Sequence, residues 1–336
     1  MVVKAIDIEF DYIPKETRKK FKLGEYADDS ANIETDDSIE AEEMIVNCGG
    51  IKPMSDFALF DEYEKGAKML GAIYGDIVGS VYEFNNIKTK DFELFTKESK
   101  FTDDTVLTLA VAKALCKLED RNDVEAFKKS LIKAMHELAE KYFYAGYGYR
   151  FFRWILSRSN EPYGSFGNGS AMRVSPVAWY ASSLEECLYF AKASAEVTHD
   201  HPDGIKGAVV TAGATYLART GGTMSQIKDF VGKYYKIDFT LDEIRPTYKF
   251  NETCQGSVPQ AMEAFFESTS FEDAIRNAIC IGGDSDTIAA IAGSVAEAYY
   301  GMSDEQASQA KERLPAPLLD IYEEFEKIIF RKRSIL

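Results

Sequence analysis

Gly282-Gly283-Asp284-Ser285-Asp286-Thr287, running directly into the apolar stretch 288–298, is the part of the chain on which the fold turns. Two glycines, then two carboxylates and a threonine hydroxyl, then a run dominated by Ala, Ile and Val predict a loop that delivers acids to the start of a buried helix. A second stretch repeats the arrangement: Phe101-Thr102-Asp103-Asp104-Thr105 precedes the apolar segment 106–115. Asp and Thr are good helix N-caps, because their oxygens accept from the free amides of the first turn, so either cluster alone can be a capped helix. Capping uses one oxygen per helix and leaves the others unexplained.

Four carboxylates gathered in one place would repel and raise one another's pKa values unless cations held them. Oxygen ligands without His or Cys suit Mg²⁺, Mn²⁺ or Ca²⁺ rather than Zn²⁺, and two clusters suggest two metals.

Outward from these stretches the pattern is helical. Tyr63, Ala67, Leu70, Ile73, Ile77 and Val81 keep a three-to-four spacing, and Gly71, Gly75 and Gly79 recur every fourth residue, a row of small residues that lets another helix come close. Apolar periodicity predicts further helices over 124–141, 184–198, 206–218, 224–235, 257–266, 271–282 and 318–331, with breaks at 251–255 and at Pro315-Ala316-Pro317. Few segments favour strand. The expected fold class is all-α: a compact multi-helix domain over 66–336, preceded by an N-terminal extension over 1–65.

That extension differs in composition. Residues 2–12 alternate enough for a short strand, 15–22 are basic, and 25–43 carry many Asp and Glu with no Lys or Arg. Such an acidic arm is either solvating or a segment that docks on a basic surface. Over the whole chain the formal net charge is -16, which argues against nucleic acid held by phosphate neutralisation. No apolar run is long enough to cross a bilayer, and the charged N-terminus argues against a secretory signal. Five scattered cysteines without a Cys-x-x-Cys fit reduced residues of a cytoplasmic protein.

Three other stretches carry chemistry. Gly71 to Glu83 places Asp76 inside an apolar helical face and Glu83 at its end, where a carboxylate is either a surface acid or a general base with access to a cleft. The loop Pro162-Tyr163-Gly164-Ser165-Phe166-Gly167-Asn168-Gly169-Ser170-Ala171-Met172-Arg173 is dense in Gly, Ser and Asn, so its backbone amides can be aimed at an anion without a side-chain cation. Thr198-His199-Asp200-His201 holds two of the three histidines. It reads as a zinc pair or, better, as a hydrogen-bonding or stacking site at a ligand. His136 falls on a charged helix face. The aromatic run 142–152 suits either the core or stacking on a base, with core the expectation for most of it.

Together these motifs resemble the ADP-ribosylglycohydrolase family, also called the dinitrogenase reductase-activating glycohydrolase family. The resemblance lies in Gly75-Asp76 through Glu83, Phe101 to Thr105, Ser165 to Arg173, Thr198-His199 and Gly283 to Thr287, in the family's order and over about residues 66–305. It implies an all-α domain with a binuclear Mg²⁺ or Mn²⁺ site. Thr102, Asp103, Asp104, Asp284, Asp286 and Thr287 would be the metal ligands, and Glu83 and Asp104 the catalytic carboxylates. Ser165, Gly167, Asn168 and Gly169 would hold the diphosphate, and His199 the ribose or phosphate region.

The implied activity is hydrolysis of the N-glycosidic bond between ADP-ribose and a modified protein side chain, arginine by preference, with serine or another acceptor as the alternative. The two metals would hold the ribose hydroxyls and lower the pKa of a water below an oxocarbenium-like transition state. Some bacterial members are immunity proteins against ADP-ribosyltransferase toxins. By that resemblance the acidic arm would block a toxin, with hydrolysis primary or secondary.

Overall fold

In the computed structural model residues 68–333 are described, with side chains up to residue 329. The readings made for 2–12, 15–22, 25–43, Cys48 and 61–67 lie outside them. Among the described residues there is no strand, only one isolated antiparallel bridge between Gly167 and Thr253. The helices run α1 (Gly71–Gly79), α2 (Asp103–Cys116), α3 (Val124–Lys141), α4 (Tyr149–Leu156), α5 (Gly169–Met172), α6 (Ser175–Tyr180), α7 (Leu184–Glu196) and α8 (Pro202–Arg219). They continue with α9 (Met224–Val231), α10 (Leu241–Ile244), α11 (Cys254–Phe266), α12 (Phe271–Cys280), α13 (Ser285–Tyr300), α14 (Asp304–Lys311) and α15 (Ala316–Arg333).

The segment after Thr287 becomes α13, and every residue from Ser285 to Ala298 is buried. A helix apolar all round has no solvent face and belongs at the centre of a domain. It packs on α1, α8, α11 and α12, while α2 packs between α3 and α15. The glycine row explains the closest of these pairings. A Cβ at Gly71 would lie 2.2 Å from Gly293 O, one at Gly75 2.1 Å from Ala289 O, and one at Gly79 2.4 Å from Asp286 Cα. The two helices therefore run antiparallel with their backbones touching, as the fourfold glycine spacing predicts.

Replacing Gly75 with Ala puts a methyl group into a backbone carbonyl that cannot move without moving the central helix. The expected loss is about 3 kcal/mol or more. Gly148→Ala, where a Cβ meets nothing within 4 Å, is the control and should stay within about 1 kcal/mol. Equal unfolding midpoints for the two variants would contradict the packing argument.

The far end of α13 secures the start of α1. Glu297, 1% exposed, accepts from the amides of Lys68 (2.6 Å) and Gly71, and so caps α1 from another helix. Burial nevertheless pushes its carboxyl up to about 7.

Several boundaries differ from those read in the sequence. The break at 251–255 is shorter, because Asn251 Oδ1 accepts from the amide and hydroxyl of Thr253, and Thr253 caps a helix that already includes Cys254 and Gln255. Gly256 and Pro259 had hidden that first turn from the apolar pattern. Helices α4, α10 and α14 also went unread, since one or two turns give too little periodicity to separate from loop. The aromatic run is less buried than expected: Tyr147 and Phe151 are buried, Tyr142, Phe143 and Phe152 half-buried, and Tyr144 and Tyr149 exposed. His136 stacks on the Trp154 ring at 4.3 Å and its Nε2 lies 2.8 Å from Ser159 O, a structural role.

Candidate metal centre

The antiparallel register of α1 and α13 decides where the acids meet. The C-terminal end of α1, leading to Glu83, falls beside the first turn of α13, which holds Asp284, Asp286 and Thr287. The start of α2 is tied to the same place by Asp76, which is fully buried on α1. Its Oδ2 accepts from the amides of Thr102 (2.9 Å) and Thr105 (3.0 Å) and from the Thr105 hydroxyl, and its Oδ1 accepts from the Thr102 hydroxyl (2.7 Å). Asp76 thus anchors the second acid stretch, a role the sequence reading had not assigned.

Carboxylate oxygens of Asp76, Asp104 and Asp286 lie within 4.8 Å of one another, and so do those of Glu83, Asp284 and Asp286. Asp286 belongs to both groups. Thr287 Oγ1 donates to Asp104 Oδ2 (3.1 Å), and Asn168 Nδ2 donates to Asp284 Oδ2 (2.7 Å). Asp103 is half-buried and belongs to neither tight group. Its amide donates to Ala145 O (3.0 Å), and its Oδ1 sits 3.3 Å from where a Cβ of Gly146 would be.

Capping explains the two stretches unequally. Thr102 is the N-cap of α2, accepting from Asp104 N at 3.3 Å, so its hydroxyl is shared between the cap and Asp76. Asp284 stands at the N-cap position of α13 but makes no side-chain cap bond. Its carboxylate faces the cluster instead. Gly283 has a φ of 80°, and a Cβ there would meet the Tyr248 ring at 2.3 Å, so glycine is required at this bend. Asn86 clamps the bend to the loop after α1: its Oδ1 accepts from Gly283 N (2.7 Å), and its Nδ2 donates to Gly283 O and Glu83 O (both 2.9 Å). No periodic or motif signal marked Asn86.

Electrostatically the cluster is unsatisfied. Burial first, then Asp284, Asp103 and Asp76, pushes Glu83 up to about 9 against a weak opposing pull from Lys100. Burial with Asp76 and Asp284 pushes Asp103 up to about 8. Burial and neighbouring carboxylates hold Asp104 and Asp286 well above the usual range, and burial raises Asp76 and Asp284. Asp104 Oδ1 is buried with no hydrogen-bond partner. An orphan carboxylate oxygen among converging acids fits hard divalent cations, while the positive N-terminal ends of α2 and α13 favour the ionised form of those acids.

On the other wall, α5 starts inside the Gly-Asn-Gly loop, with Asn168 at its N-cap. Four of the loop's amides are committed to the fold: Gly164 to Asp200 Oδ1, Ser165 to Thr198 O, Gly167 to Ser165 Oγ and Asn168 to Glu252 O. Cβ atoms at Gly167 and Gly169 would lie 3.6 and 3.3 Å from His199 Nε2, so both glycines make room for that ring edge. His201 Nδ1 accepts from Asp203 N (3.1 Å) as the cap of α8. Nδ1 of each ring is turned to a local partner, and among the described residues the candidate ligand groups contain acids and no histidine, so the two are not brought together as a zinc pair.

The fold and the cluster define an all-helical protein with an oxygen-only site that calls for cations. Comparison makes this specific, because residues 65–329 match the profile of the family described as ADP-ribosylglycohydrolase. The chain belongs to that family and is an enzyme of it. It is 26% identical to ADP-ribosylhydrolase ARH3 of Mus musculus over 314 residues, covering 70% of this chain and 83% of that one. It is 24% identical over 280 residues to ADP-ribosylarginine hydrolase Tri1 of Pseudomonas putida, covering 71% of each. It is 25% identical over 268 residues to the ADP-ribosyl-[dinitrogen reductase] glycohydrolase of Rhodospirillum rubrum, covering 70% and 85%. A solved structure titled ADP-ribosylglycohydrolase-related protein complex superposes with a TM-score of 0.56 at 20% identity, over 79% of this chain and 99% of that one, which supports the fold. No helix among the described residues is long and apolar enough to cross a membrane.

Proposed function

We propose that the protein hydrolyses the N-glycosidic bond joining ADP-ribose to an arginine side chain of a modified protein, using two divalent cations, Mg²⁺ or Mn²⁺. The observation that carries this reading is the meeting of two acid groups that share Asp286. Asp104, Asp284 and Asp286 would be the principal ligands, with Thr287 beside them and Asp103 and Thr102 at the margin. When bound, the cations would neutralise the acids and acidify a water between them.

The chain's own residues supply the rest. Asn168 orients Asp284, Thr287 orients Asp104, and Asp76 holds the start of α2 in register. Glu83, half-buried at the edge of the cluster and pushed up to about 9 by burial and its neighbouring acids, would take a proton from the attacking water once bound cations offset those acids. The water oxygen bonds to the anomeric carbon as the carbon–nitrogen bond breaks, and the departing guanidine nitrogen keeps the electron pair and takes up the proton that Glu83 accepted from the water. Positive charge develops on the sugar as that bond breaks. Ser165 to Gly169 and His199 would line the ADP-ribose side.

The arginine preference rests on the printed activity of the Tri1 relative. Incubation with an arginine-modified protein should release intact ADP-ribose with Mg²⁺ or Mn²⁺ and none with chelator. Release only from a serine-modified protein would keep the chemistry and change the acceptor. Appearance of AMP would replace glycosidic cleavage with pyrophosphate cleavage. A separate reading concerns the acidic run 25–43, whose one-sided charge suits docking on an ADP-ribosyltransferase toxin. Protein lacking residues 1–60 should lose toxin binding while keeping hydrolysis. Unchanged binding would end that idea.

A further inference from the structure

Arg173, in the turn between α5 and α6, is among the largest fully buried side chains. Among the described residues no carboxylate pairs with it. Its Nη2 donates to Ser194 O (2.9 Å) and Thr198 Oγ1 (2.8 Å), and its Nε and Nη1 are buried without a hydrogen-bond partner. Burial of this thinly paired guanidinium pushes its pKa down to about 10.

The Thr198 hydroxyl also lies 2.8 Å from His199 Nδ1. A guanidinium can only donate, so Thr198 Oγ1 accepts from Arg173; the other partner of this buried hydroxyl is Nδ1, and only a bare Nδ1 gives its proton an acceptor. A ring nitrogen that accepts is bare. The imidazole proton then sits on Nε2, the edge that lies against Gly167 and Gly169.

We propose that Arg173 and Thr198 are positioning residues that hold His199 as the neutral Nε2–H tautomer, a fixed donor toward an oxygen of the ADP-ribosyl ligand. The ligand assignment rests on the function proposed above, whereas the tautomer does not. A second proton on Nδ1 would leave the buried Thr198 hydroxyl proton without an acceptor and add a cation beside two others. The groups facing the ring agree with this. Arg173 reaches it through the Thr198 hydroxyl, Arg150 comes from α4, and the Tyr163 ring centroid stands 6.1 Å away with its phenol pushed up to about 12, chiefly by burial. The neighbouring Asp200 turns its carboxylate to the Gly164 amide at 2.6 Å. Burial, then Arg173 and Arg150, lowers the His199 pKa well below the ordinary imidazole value.

The test is imidazole ¹⁵N spectroscopy of His199 in the full-length protein, with ADP-ribose titrated from about pH 5.5 to 8. Wild type should show a bare Nδ1 and a protonated Nε2 that do not titrate, with an affinity that is flat over this range. Thr198→Val keeps the shape and removes the relay. It should populate both tautomers and weaken ADP-ribose about tenfold. Arg173→Met should make His199 titrate, and Arg173→Lys should restore much of the wild-type behaviour. If Arg173→Met does not fold, Thr198→Val decides alone. A ring that stays wholly Nε2–H in Thr198→Val, or carries its proton on Nδ1 in wild type, overturns the proposal. Wild type with the expected tautomer but no ADP-ribose affinity overturns the ligand assignment and leaves the relay standing.

Discussion

Replacing Asp286 with asparagine is expected to lower kcat/KM for ADP-ribose release at least about a thousandfold, a loss of about 4 kcal/mol in transition-state stabilisation. Asp286 is chosen because it alone belongs to both acid groups, so one substitution weakens both halves of the site. The same change should stabilise the metal-free protein near neutral pH. It removes a carboxylate held high by burial and by Glu83, Asp284, Asp104 and Asp76, and leaves an amide of the same shape. Lost activity with gained metal-free stability is a signature that general misfolding cannot produce. Activity within tenfold of wild type would sink the reading of the cluster as the reaction centre.

The second large effect is on stability against pH. Glu83 at about 9, Asp103 at about 8 and Glu297 at about 7 all lie above their ordinary carboxyl values. A raised folded-state pKa means that the native state holds its protons more tightly than the unfolded chain does. The associated stability is complete below the unfolded value and is lost as pH rises through the folded one. With chelator present, the unfolding midpoint should therefore be highest near about pH 4–5 and should fall by about 5–10 °C by about pH 9. Saturating Mg²⁺ or Mn²⁺ should restore most of that loss at the alkaline end, since an ion at a hundred times its Kd adds about 2.7 kcal/mol. A midpoint in chelator that rises steadily with pH would contradict the assigned shifts. One that ignores added cations would contradict the metal centre.

Much of this was legible in the sequence because the chemistry is dense and local. Two glycines, two acids and a threonine before an apolar run announce both a helix start and a surplus of oxygens, and fourfold glycine spacing announces a helix that another can touch. The capping alternative could be weighed only with coordinates, where Thr102 proves to be a cap and Asp284 does not cap at all. Asp76 looked like an acid astray on an apolar face. Its four hydrogen bonds to Thr102 and Thr105 join residues 26 and 29 positions away, a relation no periodicity encodes. Asn86 reaches 197 positions to Gly283, and Glu297 reaches 226 to Gly71, for the same reason. The loop amides from Gly164 to Asn168 suggested a cradle by composition, yet four of them are used by the fold.

The backbone contact between α1 and α13 also sets an order of events during synthesis. A ribosome delivers residues 76–104 long before residues 284–287, and half a site made only of buried acids has nothing to compensate its charge. Joining the halves closes a loop of roughly two hundred residues, a slow kind of step because chain entropy is spent before the contact repays it. At about 5–20 residues per second, the emerging chain spends about ten seconds or more with its first acids unpartnered. The nascent protein should therefore complete its acid cluster, and with it any activity, only as the final sixth of the chain comes into place.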